Sequence, residues 1–259
     1  MKILFNKYEG TGNDFIIMTG DAFAGSLPDA LIIKKLCDRR FGIGADGLIL
    51  VQESSGYDFR MIYFNSDGSR GAMCGNGGRC ASHFAMRHIT GFRNLTFMAD
   101  DGLHTAKHLK DNVIELSIRD VEMTRETPDG ILVNTGVPHL VVFTDDIEDT
   151  DLVTFARPLR YSQRYAPDGV NVNLVAMTGD SLAVRTYERG VEDETLSCGT
   201  GVTASAIAAA TTGRTATGEI RVKVRGGALS IRLTLTGTGA SGISLAGPAT
   251  FVFSGETEI

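Results

Sequence analysis

Two short stretches of this chain are nearly the same: Met73-Cys74-Gly75-Asn76-Gly77-Gly78-Arg79 and Ser197-Cys198-Gly199-Thr200-Gly201-Val202-Thr203. Each reads cysteine, glycine, a polar residue and glycine, and each precedes a segment rich in alanine and other apolar residues. The pattern predicts that each cysteine stands at the N-terminus of a buried helix, where the helix dipole favours thiolate over thiol. The glycines let a ligand carboxylate approach the backbone closely. Two such sites suggest a matched acid and base.

The spacing of the two motifs predicts a duplicated domain. Cys198 follows Cys74 by 124 residues, which is close to half of the 259-residue chain. A chain of this length with 42% hydrophobic residues can bury a large core and reaches the size range of two domains. We therefore predict a first half over residues 1–120 and a second over 121–248, and we allow for a C-terminal strand at about 249–259 that joins the first half.

The predicted fold class is α/β (α+β), because β-rich segments alternate with only a few helical ones. The second post-cysteine segment, Ala204–Thr211, has almost no polar face, so its helix should be surrounded. We expect two pseudo-symmetric domains, each a β-sheet wrapped around a central apolar helix, with the active cleft between them. The polar run at 119–129 is interpreted as the connector.

Composition argues against several partners. A net charge of −6 with scattered lysine and arginine offers no basic face for nucleic acid. The chain shows no apolar run of about 18 residues or more and no signal-peptide pattern at its start, so we expect no membrane partner and a soluble, cytoplasmic protein. Four cysteines, at 37, 74, 80 and 198, are too few and too unevenly spaced for a disulfide scaffold. The glycines near residue 42 match no nucleotide-binding loop.

Further motifs appear in a fixed order along the chain. They are Gly12-Asn13-Asp14-Phe15, Cys37-Asp38-Arg39-Arg40, Gly42-Ile43-Gly44-Ala45-Asp46-Gly47, Phe64-Asn65-Ser66-Asp67-Gly68-Ser69, Asn134-Thr135-Gly136-Val137-Pro138-His139, Gly169-Val170-Asn171-Val172-Asn173 and Tyr187-Glu188-Arg189-Gly190. Together with both cysteine motifs, this series resembles the diaminopimelate epimerases over almost the whole chain.

The resemblance implies cofactor-independent inversion of one α-carbon of diaminopimelate, between the LL and meso forms, on the route to lysine and peptidoglycan. Cys74 and Cys198 would be the catalytic thiol pair, and the family is homodimeric. No cofactor and no metal are expected. The residues implied to bind substrate are Asn13, Asn65, Gly75, Asn76, Asn171, Glu188, Arg189, Gly199 and Thr200, with His139 near the catalytic centre.

The implied roles suit a zwitterionic substrate. Arg189 can hold a carboxylate through a bidentate fork, and asparagine side chains can both donate and accept hydrogen bonds. Many family members have Gln where Gly47 stands and Asn where Val137 stands. We therefore expect altered anchoring of the distal end of the substrate rather than loss of activity.

Alternative interpretations remain open at this point. A related racemase or dehydratase of the proline racemase type also uses paired cysteines, and a thiol redox or zinc-binding module is the non-enzymatic alternative. The cysteine spacing lacks the intervals of a structural zinc site. Taken alone, His139 is as consistent with a structural role as with a functional one, and Glu188 with Arg189 could form an exposed ion pair. Cys37 and Cys80 are expected only to pack.

Overall fold

The computed structural model describes residues 2–71 and 73–258. The chain forms two compact units, one made of the residues up to Leu116 together with those from Gly247 onward, the other of Ser117–Ala246. The divisions therefore fall a few residues before the predicted ones at 120/121 and about 248/249.

The first unit is formed by a run of strands that ends at residue 117 and by one strand from the C-terminal segment. Its elements are β1 (Lys2–Gly10), β2 (Asn13–Thr19), α1 (Ala30–Cys37), β3 (Gly47–Gln52), β4 (Phe59–Asn65), β5 (Arg70–Gly71), α2 (Gly75–Ala85), a π-helical turn (Met86–Thr90), β6 (Asn94–Ala99), β7 (Gly102–Lys110), β8 (Val113–Ser117) and β18 (Thr250–Glu258). β18 runs antiparallel to β1.

The second unit is continuous in sequence. Its elements are β9 (Thr124–Thr127), β10 (Gly130–Asn134), β11 (Pro138–Phe143), α3 (Leu152–Arg160), a 3-10 turn (Gln163–Tyr165), β12 (Asn171–Thr178), β13 (Ser181–Glu188), β14 (Asp193–Thr195), α4 (Gly199–Thr211), β15 (Gly218–Val224), β16 (Gly227–Thr236) and β17 (Gly239–Pro248).

The two units share one topology. In the first, β1–β2 is antiparallel, β2–β3 parallel, β3–β4 and β4–β5 antiparallel, β4–β6 parallel, and β6–β7 and β7–β8 antiparallel. In the second, β10–β11, β11–β12, β12–β13, β13–β14, β13–β15, β15–β16 and β16–β17 repeat this series. In each of these two series one helix lies between the second and third strands, and the cysteine-motif helix follows later. The predicted duplication is confirmed.

In the first unit, helices cover both faces of the central strands. On β2, Phe15 and Ile17 pack in the core that includes α2, whereas Ile16 and Met18 pack in the core that includes α1. This alternation explains why the sequence of β2 is continuously apolar instead of alternating with polar residues.

In the second unit, α4 is surrounded as predicted. Nearly all of its residues are buried, and it contacts strands β9–β13, β15 and β16. Its many alanines and glycines allow the strands to approach closely. α3 packs with the opposite face of β12 in a separate core.

The polar run at 119–129 is not a simple connector. Val121 pairs with Ala240 in an isolated bridge, and β9 pairs antiparallel with β10. The backbone of this run therefore extends the sheet while its polar side chains remain largely exposed. β17 forms a strand although its glycine and serine content is typical of loops.

Candidate active site

Cys74 caps the N-terminus of α2 in the first unit. Its backbone is extended (φ −91°, ψ 127°), its side chain is half-buried, and its carbonyl accepts a hydrogen bond from the Gly78 N–H at 2.7 Å. The first N–H groups of a helix have no acceptors within it, and the dipole adds positive potential there. The predicted helix start is confirmed, and its environment favours negative charge at the sulfur.

Asn13 faces this thiol. It opens β2 directly after the turn residues Thr11 and Gly12, which both have positive φ (53° and 86°). The Cys74 Sγ donates to Asn13 Oδ1 at 3.7 Å, and Asn76 Nδ2 donates to the same oxygen at 3.4 Å. Asn13 Nδ2 donates to Asp46 Oδ2 at 2.6 Å. Because a carboxylate only accepts, Asp46 determines that the amide oxygen faces the thiol.

Asp46 belongs to a charged network. Arg39 Nη2 lies 2.7 Å from both Asp46 Oδ1 and Asp14 Oδ1, and the buried Lys7 Nζ lies 2.7 Å from Asp14 Oδ2. Lys7 also donates to the carbonyl of Gly44. Burial alone would raise the pKa of Asp14, but the hydrogen bonds from Arg39 and Lys7 outweigh it and lower that pKa to about 2. Asp14 therefore stays ionised at neutral pH, and the network holds the loop that carries Asp46.

Asn65 lies at the same end of the sheet as Asn13. It ends β4 opposite Gly47 of β3, while Gly47 also pairs with Phe15 of β2, two residues after Asn13. Asn65 Nδ2 donates to Ser69 Oγ at 3.0 Å. The first unit therefore groups both predicted asparagines at one edge of neighbouring strands.

Cys198 caps α4 in the second unit in the same manner. Its backbone is extended (φ −125°, ψ 108°), it is buried, and its carbonyl accepts from the Val202 N–H at 2.9 Å. Its Sγ lies 3.4 Å from Thr200 Oγ1. The carbonyl of Thr200 accepts from Thr135 Oγ1 at 3.1 Å, which ties the helix start to the end of β10. The second predicted helix start is also confirmed.

His139 is fully buried beneath the first turn of α4. An ideal Cβ placed on Gly201 would lie 3.3 Å from His139 Cε1. Asn173 Nδ2 lies 3.0 Å from His139 Nδ1, and Thr186 Oγ1 donates to Asn173 Oδ1 at 2.9 Å. Burial, together with the positive charge of Arg189, lowers the pKa of His139 to about 3. The imidazole is therefore neutral at physiological pH.

Asn171 fixes the strand ends next to His139. It pairs with His139 across the parallel β11–β12 ladder. Its Oδ1 accepts from the backbone N–H of Arg189 at 2.8 Å, and its Nδ2 donates to the carbonyl of Pro138 at 3.2 Å. Glu188 and Arg189 are half-buried, unlike a solvated surface ion pair. The second unit thus gathers these predicted residues at one edge of β11, β12 and β13.

A family model described as Diaminopimelate epimerase matches residues 5–120 and 131–252. The chain belongs to the diaminopimelate epimerase family. As a member of this family it is an enzyme of the isomerase class.

Named relatives agree with the family match. A diaminopimelate epimerase of Flavobacterium psychrophilum is 45% identical over 248 residues, covering 95% of this chain and 97% of that protein. One of Methanocella arvoryzae is 39% identical over 289 residues, covering 100% of this chain and 98% of that protein. Both alignments include the two halves of the chain.

Solved structures with the same fold are more distant in sequence. A phenazine biosynthesis protein of the PhzF family from Bacillus anthracis superposes with a TM-score of 0.77 at 15% identity, covering all of both chains. A hydroxyproline epimerase from Agrobacterium vitis gives a TM-score of 0.72 at 16% identity, covering 99% of this chain and 92% of that one. At such identities the likeness concerns the fold alone, and it confirms the predicted fold class.

Tyr63 occupies the space beside Gly47. An ideal Cβ on Gly47 would lie 2.5 Å from Tyr63 Cε2 and 3.0 Å from its hydroxyl oxygen. The ring also packs edge-on against Phe15, with centroids 6.1 Å apart. From the sequence, Gly47 predicted altered anchoring of the substrate, and Tyr63 was not identified. Its position two residues before Asn65, on the same face of β4, is the signal that could have identified it.

Arg79, the last residue of the first cysteine motif, has contacts that the motif itself does not indicate. It is fully buried in α2, and it donates to the Gly75 carbonyl, the Thr11 hydroxyl and the Pro248 carbonyl, each at 3.2 Å. Burial lowers its pKa from the usual value, and it interacts electrostatically with Cys74. A buried cation held by neutral acceptors supports negative charge at that sulfur.

The other two cysteines lie in cores. Burial raises the pKa of Cys37 to about 12 and raises that of Cys80, which is fully buried in α2, well above its usual range. Both thiols are thus protonated and poorly reactive, in agreement with the packing roles expected from sequence.

Across residues 2–71 and 73–258, no three His, Cys, Asp or Glu side chains are grouped so that they could hold a metal ion. Within the same ranges, no helix combines the length and apolar character needed to span a bilayer.

Proposed function

We propose that this chain interconverts LL- and meso-diaminopimelate by a two-base mechanism, with Cys74 and Cys198 as the proton-transferring groups. The observation that carries this proposal is the repeated capping of a buried helix by a cysteine, in a chain of the diaminopimelate epimerase family. A two-base inversion needs two groups of matched chemistry, and the duplicated fold supplies two equivalent positions.

The proton transfers balance without a cofactor. One sulfur, as thiolate, takes the α-proton, and the bonding electron pair remains on the α-carbon and is delocalised into the adjacent carboxylate. The other sulfur, as thiol, delivers its proton to the opposite face of that carbon. The thiol and thiolate have then exchanged states, and the reverse reaction restores them. This mechanism requires both thiols to reach one substrate.

The difficult step is the formation of the carbanion, because an α-proton beside a carboxylate is very weakly acidic. We propose that the helix N-termini, at Gly75-Asn76 and Gly199-Thr200, bind the α-carboxylate through backbone N–H groups. Donors that are fixed before the reaction stabilise the growing charge without reorganising. The small residues after each cysteine support this role because they leave the backbone accessible.

The remaining polar residues are proposed to anchor the zwitterion. Arg189 would bind a carboxylate, and Glu188 would balance an ammonium group. Three asparagines are suited to assist. Asn13 contacts the Cys74 thiol and Asn65 lies at the same sheet edge as Asn13, while Asn171 binds the backbone of Arg189. His139 would lie close to the bound substrate, beside the start of α4.

The assay uses the purified full chain under reducing conditions, without added pyridoxal phosphate. We expect it to exchange the α-hydrogen of LL- and meso-diaminopimelate with deuterated water and to interconvert the two isomers. Cys74→Ala and Cys198→Ala should each lower epimerisation by about 10³-fold or more, because general acid and base catalysis each contribute about 10²–10⁴-fold. Cys80→Ala is the matched control, because Cys80 lies in the helix that Cys74 caps but is buried in its core, and it should retain most activity.

Two results would overturn the proposal. Turnover of proline or hydroxyproline, with no reaction of diaminopimelate, would instead indicate a racemase of the other cysteine-pair type. Full activity in either Cys74→Ala or Cys198→Ala would exclude the two-thiol mechanism. We also propose, from the family resemblance alone, that the enzyme acts in the cytoplasm as a homodimer on the route to lysine and peptidoglycan precursors. Analytical ultracentrifugation tests the dimer.

A further inference from the structure

Three polar side chains interrupt an apolar sheet face in the second unit. His139, Asn173 and Thr186 lie on three adjacent strands, and all three are buried. On each strand the neighbouring residue of the same face belongs to the core around α4; these neighbours are Val141, Val175 and Val184. Burying polar groups at such positions costs free energy unless they bond to one another, so a specific arrangement is required.

The directions of these hydrogen bonds follow from a neighbouring atom that can only accept. Thr186 Oγ1 donates to Asn173 Oδ1 at 2.9 Å, and this pair lies directly opposite across the antiparallel ladder. Asn173 Nδ2 lies 3.0 Å from His139 Nδ1 and 3.5 Å from the carbonyl oxygen of Leu140. A carbonyl oxygen only accepts, so the amide nitrogen must face both Leu140 and the imidazole. Nδ1 of His139 is then an acceptor.

A neutral imidazole that accepts at Nδ1 carries its proton at Nε2. This atom is buried, and none of the residues within 2–71 and 73–258 offers His139 Nε2 a hydrogen-bond partner. The ring lies beside Gly201 in the first turn of α4. A buried donor without a partner, next to a helix N-terminus, is suited to an anionic ligand atom.

We propose that Asn173, held by Thr186, is a positioning residue that fixes His139 as the Nε2–H tautomer. His139 thereby presents a proton donor to a carboxylate oxygen of the substrate at the start of α4, and it does not act as a general base. This inference rests on the proposed function for the identity of the carboxylate, whereas the tautomer itself does not depend on it.

The direct test is nuclear magnetic resonance of the full chain labelled with ¹⁵N-histidine. Two-bond proton–nitrogen correlations distinguish a protonated from an unprotonated ring nitrogen, and His139→Gln identifies the signals of His139 by their loss. At pH 7 we expect an unprotonated Nδ1 and a protonated Nε2. A proton on Nδ1, or an imidazolium, in the unaltered chain would overturn the proposal whatever the variants do.

Two variants test the role of Asn173 and Thr186. In Asn173→Asp the carboxylate can only accept, so the proton should move to Nδ1. Thr186→Val removes the hydroxyl that holds the amide oxygen in place and should produce a mixture of tautomers. Asn134→Asp is the control, because it makes the same chemical change at an exposed position whose side chain accepts from the Gly136 N–H, as a carboxylate also can. An unchanged tautomer in Asn173→Asp would refute the positioning role.

Kinetics separate this inference from the proposed function. Asn173→Asp should lower kcat for diaminopimelate by about 10²-fold, the usual loss when one preorganised donor is removed, with a smaller change in KM. Asn134→Asp should leave both values within about twofold. If the unaltered chain shows the expected tautomer but does not act on diaminopimelate, the proposed function fails while the positioning role of Asn173 stands.

Discussion

Replacing Gly201 by alanine tests whether the first turn of α4 depends on close contact with the polar side chains beneath it. In an exposed helix, this change stabilises by about 1 kcal/mol because alanine has the higher helix propensity. Here the new Cβ would lie 2.4 Å from Asn173 Oδ1, 3.1 Å from Thr186 Oγ1 and 3.3 Å from His139 Cε1. Heavy atoms do not approach a Cβ to within 3.0 Å, so Asn173 must move.

The cost follows from what that movement breaks. The amide oxygen must retreat by about 0.6 Å to restore even the closest tolerable contact, in a core packed at crystal density. Asn173 would then lose its bonds to Thr186 and His139, and leaving buried partners unsatisfied costs about 1–3 kcal/mol for each bond. After subtraction of the propensity gain, Gly201→Ala should lower the free energy of unfolding by about 1–5 kcal/mol.

Gly77→Ala is the matched control, since Gly77 holds the same place after Cys74 in α2. A Cβ there would meet Ile49 Cδ1 at 3.1 Å and Phe15 Cε1 at 3.4 Å, both side-chain carbons that can shift slightly. Urea unfolding followed by circular dichroism should show a change of less than about 1 kcal/mol for Gly77→Ala. Unfolding of Gly201→Ala at the same or a higher urea concentration than the unaltered chain would show that the first turn of α4 does not depend on this close contact.

Three further predictions follow from the other charged and thiol groups. Asp46→Asn should let the Asn13 amide turn and reduce kcat about 10- to 100-fold, with the fold retained by circular dichroism; unaltered kinetics would argue against orientation by Asp46. Because the pKa of Asp14 is lowered to about 2, its contribution of about 2 kcal/mol should be complete above pH 4 and disappear as the pH falls towards 2, so the stability gap between Asp14→Asn and the unaltered chain should close over that range. At pH 8, iodoacetamide should leave Cys37 and Cys80 unmodified in the native chain but label both in urea, as peptide mass mapping will report; early labelling of either would contradict their buried state.

The helix starts and the duplication were predictable because they depend on local sequence. The C-G-x-G motif encodes a cap and a closely approachable backbone within a few residues, and its repetition encodes the second unit. Strand propensity alone does not predict β17. This strand, Gly239–Pro248, is rich in glycine and serine, yet it pairs with β16 over residues 239–246. There the partner strand supplies the order that the segment's own propensity lacks.

Contacts between side chains far apart in the chain were not predictable from the single sequence. The structure reveals that Asp46 orients Asn13 from 33 residues away and that Asn173 meets His139 from 34 residues away. Asn173 did carry a signal, since it is polar at a position whose strand neighbours Val172, Leu174 and Val175 are buried and apolar. Such a residue indicates a buried polar partner, but not which one.

The two units orient an asparagine amide beside a cysteine-capped helix by different physical means. At Asn13 the orienting group is a carboxylate within an ion network whose members are partly solvated: the side chains of Arg39 and Asp46 are 58% and 42% exposed. At Asn173 the orienting group is the neutral backbone carbonyl of Leu140, and the buried hydroxyl of Thr186 holds the amide oxygen. Salt screens exposed charges but acts little on buried neutral hydrogen bonds. The hydrogen bond between Asn13 and Asp46 should therefore weaken as the ionic strength rises, while the tautomer of His139 stays the same. The surroundings of the two cysteine motifs thus respond differently to salt.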